Sequence, residues 1–215
     1  MAAEMMRVFL LLAFFVVGLN VNPAEAARPG HVYMLRGFAN VFSTGMDSLA
    51  SELASRGYDA TVHSHVESDS LAVHAANLQK SGKGPIVIIG HSLGGPAAIA
   101  MATRMKALGA KVALIVTFGP NVSDPVPSNV ARVINFYQTQ SIVNNTLRKG
   151  PGFSGSMSNI NLDSASGITH FNIDKITMLH VRAIAAVGSV MGGAAPRSPA
   201  SAAKPASERR TEVGQ

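Results

Sequence analysis

Pro85-Ile86-Val87-Ile88-Ile89-Gly90-His91-Ser92-Leu93-Gly94-Gly95-Pro96, continued by a helix-like run to Leu108, decides how this chain is read. A short, unbroken apolar run that ends at glycine is the pattern of a strand buried on both faces. The Gly-x-Ser-x-Gly that follows, Gly90 to Gly94, fits a sharp strand-to-helix turn. In this turn the serine sits on strained backbone, and the flanking glycines remove Cβ atoms that would strike the neighbouring helix or strand. Such a turn, a nucleophile elbow, lifts the Ser92 hydroxyl over the end of a sheet. It also aims the Leu93 N–H at the space where negative charge develops on a reacting carbonyl.

Upstream, His31 to Arg36 reads as an apolar strand ending at Gly37, and Thr44-Gly45-Met46-Asp47 opens a helix to about Arg56, which Gly57 stops. Asp59 to Ser64 reads as a strand and Ser68 to Gln79 as a helix. Downstream of the elbow, Pro96 to Leu108 is helical, Lys111 to Phe118 and Val130 to Tyr137 are strands, and Ile176 to Val187 is a last amphipathic helix. Strands that are apolar throughout and alternate with helices predict an α/β fold, a three-layer α/β/α sandwich around a mostly parallel sheet. The stretch from Ser141 to Thr169, rich in Gly, Ser and Asn, has strand character only around Ile160 to Leu162 and reads as a lid or substrate-binding flap.

The ends read differently from this core. Arg7, the apolar stretch Val8 to Leu19 and Ala24-Glu25-Ala26 form the pattern of a signal peptide over residues 1–26, predicting an exported protein, periplasmic or secreted. An uncleaved membrane anchor is the alternative, although a span needs about twenty apolar residues. The folded α/β domain is expected over 28–190. Residues 191–215 carry Ala, Pro, Ser and charge without apolar period, the composition of a disordered tail.

The 215 residues include no cysteine, which excludes disulfides and thiolate chemistry. Lys and Arg number 18 against 12 Asp and Glu, a net charge of +6. The cations are scattered and not interleaved with aromatics, so no nucleic-acid footprint is expected, only a weak attraction to anionic membrane surfaces. His63 and His65 have ligand-like spacing on a strand, but the sequence places no third ligand, and the methionines are dispersed. No metal or other cofactor is expected.

A reactive serine needs a base, and that base needs an orienting acid. In a fold of this kind the chain order is Ser, Asp or Glu, then His. After Ser92 only His170 and His180 remain. His180 lies within the last helix, whereas His170 precedes it on a connection able to reach the sheet edge, and is the expected base. Between Ser92 and His170 the only carboxylates are Asp124 and Asp163. Asp124, a short loop beyond Phe118, is the first choice for the acid, Asp163 the second, and no acid at all, or one outside this chain order, the third. Asp-Pro also initiates turns for purely local reasons. Phe38, beside Gly37 in the loop after the first strand, is the expected second oxyanion donor with Leu93. Arg36 at the same strand end is open to a substrate carboxylate or phosphate, or to solvent.

Gly90-His91-Ser92-Leu93-Gly94-Gly95, with His170-Phe171-Asn172-Ile173-Asp174 before a terminal helix, resembles the α/β-hydrolase superfamily, in particular its small lipase-, esterase- and thioesterase-like members. The resemblance covers about Gly30 to Val187. It implies a minimal α/β-hydrolase fold and hydrolysis of a small or lipid-like carboxylic ester or thioester through an acyl-serine. In that chemistry Ser92 is the nucleophile, His170 the base and then acid, and Leu93 and Phe38 the oxyanion donors. One place departs from the pattern. Relatives often carry Asp before Pro at the strand end after the elbow helix, where this chain reads Phe118-Gly119-Pro120. Asp124 then substitutes from further along the loop, or the triad is a dyad. A catalytically impaired scaffold that binds an acyl ligand or an envelope partner, and an acyltransferase using the same serine, are the competing expectations.

Overall fold

A computed structural model describes residues 30–38, 43–140 and 146–192. The leader lies outside the described residues, and so does the tail from 193 onward. Six strands, β1 (His31–Arg36), β2 (Ala60–Ser64), β3 (Ile86–His91), β4 (Leu114–Phe118), β5 (Arg132–Tyr137) and β6 (Ser156–Asn161), form one sheet in the order β2-β1-β3-β4-β5-β6. Every neighbouring pair is parallel. Four helices cover it: α1 (Gly45–Ala54), α2 (Ser68–Lys80), α3 (Gly94–Ala107) and α4 (Thr177–Met191).

The apolar strands were legible because a parallel sheet with helices on both sides has no wet face. All six residues of β3 are buried. Val32, Met34, Val87, Ile89, Leu114 and Val116 pack with Leu49 and Leu53 of α1 and with Leu179, Ala183 and Val187 of α4. Their alternates Tyr33, Leu35, Ile86, Ile88 and Ile115 pack with Leu71 and Ala75 of α2 and with Ile99, Met101 and Met105 of α3. These are the three predicted layers, and the architecture is a minimal α/β-hydrolase fold. Among the described residues no helix is long and apolar enough to cross a membrane.

The structure corrects the reading of the segment from 141 to 169. Residues 141–145 lie outside the described residues, but Ser156 to Asn161 is strand β6, paired with β5 from Arg132↔Ser156 to Tyr137↔Asn161. It was hidden because β6 is an edge strand and four of its six residues are exposed, so Ser and Asn are tolerated where an inner strand needs Val or Ile. A polar ladder helps to hold it: Thr117 Oγ1 donates to Asn135 Oδ1 at 2.7 Å, and Asn135 Nδ2 donates to Asn159 Oδ1 at 2.8 Å. This part of the segment is sheet, not flap. A smaller correction is that α3 begins at Gly94 rather than Pro96.

The topology places the site. From β1 the chain goes outward to β2 and then returns to β3 on the other side of β1, so the crossovers diverge between β1 and β3. A crevice opens at the carboxyl ends of strands at such a switch point. Gly37-Phe38 follows β1 there, and Ser92 follows β3.

Candidate active site

Ser92 is the only non-glycine residue with positive φ among the described residues, at 55°. A β-carbon in the left-handed region costs roughly 1–2 kcal/mol, so neighbouring structure must hold it there. The Ser92 N–H donates to the Phe118 carbonyl at 3.1 Å, and the Ser92 carbonyl accepts from Gly95 at 3.0 Å and Asn121 at 3.2 Å. The end of β4 and the start of α3 therefore clamp the turn from both sides. The flanking glycines are dictated by closeness: a Cβ on Gly90 would lie 2.2 Å from the Gly94 carbonyl oxygen, and one on Gly94 would lie 2.0 Å from that of Leu35.

The hydroxyl so presented meets an imidazole. Ser92 Oγ lies 3.0 Å from His170 Nε2, at hydrogen-bond distance although 78 residues separate the two. Burial lowers the His170 pKa below the ordinary imidazole value, and His91 lowers it further. The negative charge of Asp174 works in the opposite direction. The ring is therefore neutral near pH 7, as a general base requires.

For His170 to accept the Ser92 proton at Nε2, its own hydrogen must reside on Nδ1. That nitrogen is buried and has no hydrogen-bond partner among the described residues. No neighbour among the described residues selects the productive tautomer, the task an orienting carboxylate performs in a serine triad. The structure does not bring Asp124 to this ring. Asp124 is exposed and lines a separate groove with His65, Leu93, Val122 and Arg148. The loop from Gly119 to Ser123 carries it past the elbow instead of back toward His170. Asp163 is also occupied elsewhere, accepting from the Thr139 N–H at 2.8 Å and from the Thr139 hydroxyl.

The position facing Nδ1 is Gly119. A Cβ built there would lie 3.2 Å from His170 Nδ1 and 3.5 Å from Ile173 Cγ2. This is the place from which a short carboxylate reaches the ring, and the chain has only a hydrogen atom there.

Another set of contacts holds the loop that carries His170. The Gly37 N–H donates to Ser43 Oγ at 2.9 Å, and Ser43 Oγ lies 2.8 Å from His91 Nδ1. His91 Nε2 lies 3.0 Å from the His170 carbonyl oxygen. A carbonyl only accepts, so His91 carries its hydrogen on Nε2 and receives the Ser43 hydroxyl hydrogen at Nδ1. One buried chain thus ties the loop after β1, the elbow and the loop that carries His170. Neither Ser43 nor His91 stood out in the sequence as a site residue. The signal was present only in His91 as the second residue of the elbow, inward-facing at the end of an apolar strand.

Phe38, Ser43, His91, Ser92, His170 and Phe171 enclose a cavity of about 140 Å³. Phe38 and Phe171 stand at its mouth, 69% and 57% exposed. Leu93 is the N-cap residue of α3, so its N–H belongs to the unpaired donor end of that helix, beside Ser92. The remaining candidates are structural. His180 is held in α4 between Glu52 Oε1 at 2.8 Å and the Asp174 carbonyl at 2.6 Å. Arg36 pairs with Asp47, and His63 bonds the Thr61 hydroxyl at 2.7 Å. His65 lies just beyond β2 in a 3-10 turn, off the strand face of His63.

With this geometry established, comparison with known proteins places the chain. The PGAP1-like alpha/beta domain model matches residues 60–190. The chain belongs to this family. As a PGAP1-like alpha/beta domain it is similar in fold to a lipase B of Aspergillus fumigatus, at 13% identity and a TM-score of 0.56, covering 82% of this chain. The chain spans only 57% of that lipase's length. It is also similar to human thioesterase 2, at 11% identity and a TM-score of 0.51, covering 75% of this chain and 97% of the other. The NocB thioesterase domain, solved as a covalent complex with a fluorophosphonate nocardicin G analogue, aligns at 14% identity and a TM-score of 0.51, covering 78% of this chain and 96% of that one. A comparison with curated proteins finds no match.

Proposed function

We propose that this PGAP1-like domain is a serine hydrolase acting on carboxylic esters or thioesters with small acyl groups, through an acyl-Ser92 intermediate and a Ser92–His170 dyad. The observation that carries the reading is the 3.0 Å contact between Ser92 Oγ, on its strained elbow, and His170 Nε2. Ser92 Oγ attacks the acyl carbon as its proton passes to His170 Nε2. The developing oxyanion faces the N–H groups of Leu93 and Phe38. The tetrahedral intermediate then expels the alkoxide or thiolate, which takes the proton back from Nε2. Water, deprotonated by the same nitrogen, releases the acid and restores Ser92.

A cavity of about 140 Å³ is well below the roughly 300–1,000 Å³ of sites that enclose drug-sized ligands. It accommodates an acyl group near the carbonyl, while Phe38 and Phe171 offer apolar surface to what extends beyond it. The leader-like residues 1–26 support export of the enzyme.

Labelling of the purified protein by a fluorophosphonate probe, followed by peptide mass analysis, tests the assignment. Modification confined to the peptide holding Ser92, and suppressed by a short p-nitrophenyl ester, is the expected result. Labelling that persists in Ser92→Ala, or no labelling of folded protein, refutes it.

The rate of labelling also has a defined pH dependence. Burial holds the His170 pKa below its ordinary value, and only the neutral ring accepts the serine proton. The rate therefore rises as pH increases through that lowered pKa and is level above it. The inflection is expected below about 6.5, the unperturbed imidazole value. A rate still climbing through pH 7.5 contradicts His170 as the base.

A further inference from the structure

Asp174 is the only carboxylate among the described residues with no exposure at all. Its Oδ2 accepts the Gly45 N–H at 2.9 Å, capping the first turn of α1. Its Oδ1 is buried and has no hydrogen-bond partner among the described residues, and it lies 4.0 Å from His91 Nε2. A cap alone does not explain the charge, because Asn caps a helix about as well as Asp and has no ionised group to desolvate. What the charge faces is an array of rings: His91 Nε2 donates to the His170 carbonyl, and the two imidazoles lie 5.5 Å apart between centroids.

We propose that Asp174 is the electrostatic partner of the catalytic base and that His91 is the positioning residue between them, the pair standing in for the carboxylate that Gly119 does not supply. The inference rests on the Ser92–His170 reading above. When Ser92 Oγ bonds to the acyl carbon and its proton arrives on His170 Nε2, the ring becomes an imidazolium in a half-buried site. A fixed negative charge nearby lowers the energy of that state, and the Asp174 charge acts on both rings in this sense. His91 fixes the loop by its bond to the His170 carbonyl, and Ser43 fixes His91 in the tautomer that makes the bond. Through-space stabilisation of this kind favours the charged ring but leaves Nδ1 without an acceptor. The charged and titratable groups around the array are few. His91 from β3 and Asp174 face His170, Lys175 opposes charge on His91, and His180 from α4 bonds the Asp174 carbonyl.

Asp174→Asn keeps the volume and the cap acceptor while removing the charge. The expected result is a fall in kcat of about tenfold with KM unchanged, and a pH inflection moved down by up to about one unit, the equivalent of a tenfold change in proton affinity. His91→Ala, which leaves the His170 carbonyl without its donor, is expected to lower kcat at least as far. His91→Gln, whose amide N–H reaches the same carbonyl, is expected to recover most of it. A purely structural Asp174 would change thermal stability without moving the inflection. The proposal is overturned if folded Asp174→Asn has the wild-type kcat and inflection. If that variant does not fold, equal activity of His91→Ala and wild type overturns it instead. Wild-type activity that vanishes in Ser92→Ala while both of those variants remain at wild-type level means that this inference alone has failed. Activity indifferent to Ser92→Ala means that the underlying reading has failed.

Discussion

Gly119→Asp is expected to accelerate the proposed ester hydrolysis. Most substitutions next to a reacting group slow it, so the direction makes the test sharp. Gly119 sits at φ 48°, in the left-handed region, where Asp is among the better tolerated side chains after glycine. Its Cβ would lie 3.2 Å from His170 Nδ1, so the imidazole must give by a few tenths of an ångström. The carboxylate then accepts the Nδ1 hydrogen, selects the productive tautomer and stabilises the imidazolium. Removing an orienting Asp from a complete triad costs on the order of ten-thousand-fold. Installing one in a site built without it is expected to recover part of that, about tenfold to a hundredfold in kcat, with the pH inflection moving up toward or beyond about 6.5. Gly119→Ala adds the same Cβ pressure without an acceptor and is expected to be slower than wild type. If folded Gly119→Asp turns over no faster than Gly119→Ala, the missing carboxylate is not what limits the rate.

The second large effect is a loss. Ser92→Ala and His170→Ala are each expected to lower kcat/KM by about a thousandfold or more, and the double variant by no more than either single one, because the two side chains perform one proton transfer together. In a full triad such losses reach about a millionfold. The smaller value reflects a dyad that starts lower. Steady-state hydrolysis of a p-nitrophenyl ester by the three variants measures this. Additive losses would mean that the 3.0 Å contact between Ser92 and His170 is not the catalytic one.

The inner strands and the elbow were legible in the sequence because one physical demand, burial on both faces, wrote Ile86 to Ile89 and Leu114 to Val116 as unbroken apolar runs. Edge strand β6 escaped because an edge needs less: Met157 and Ile160 give it partial apolar cover, and Asn159 anchors it through side-chain bonds that no periodicity reveals. His170 was found by elimination along the chain, and the structure brings it to Ser92. Asp124 and Asp163 do not meet the His170 ring, for a related reason. A search between Ser92 and His170 for a carboxylate offers Asp124 and Asp163, and the loop geometry after Gly119 and the Thr139 contacts take both elsewhere. Asp174 lies beyond His170 in sequence and approaches it through a histidine of another strand. Ser43 depends on a contact across 48 residues. Both relations exist only once β1, β3 and the loop before α4 have come together.

In the proposed reaction Ser92 carries the acyl group and His170 makes the serine reactive. Trapping the acyl-enzyme measures this most directly. The protein is mixed with a short p-nitrophenyl ester, quenched in acid at early times and analysed by peptide mass. One acyl group is expected in wild type, on the peptide containing Ser92, and its formation is expected to be about tenfold or more faster in Gly119→Asp. Almost none is expected in His170→Ala over the same interval. An acyl group on another residue, or one formed on Ser92 as fast in His170→Ala as in wild type, would contradict this assignment.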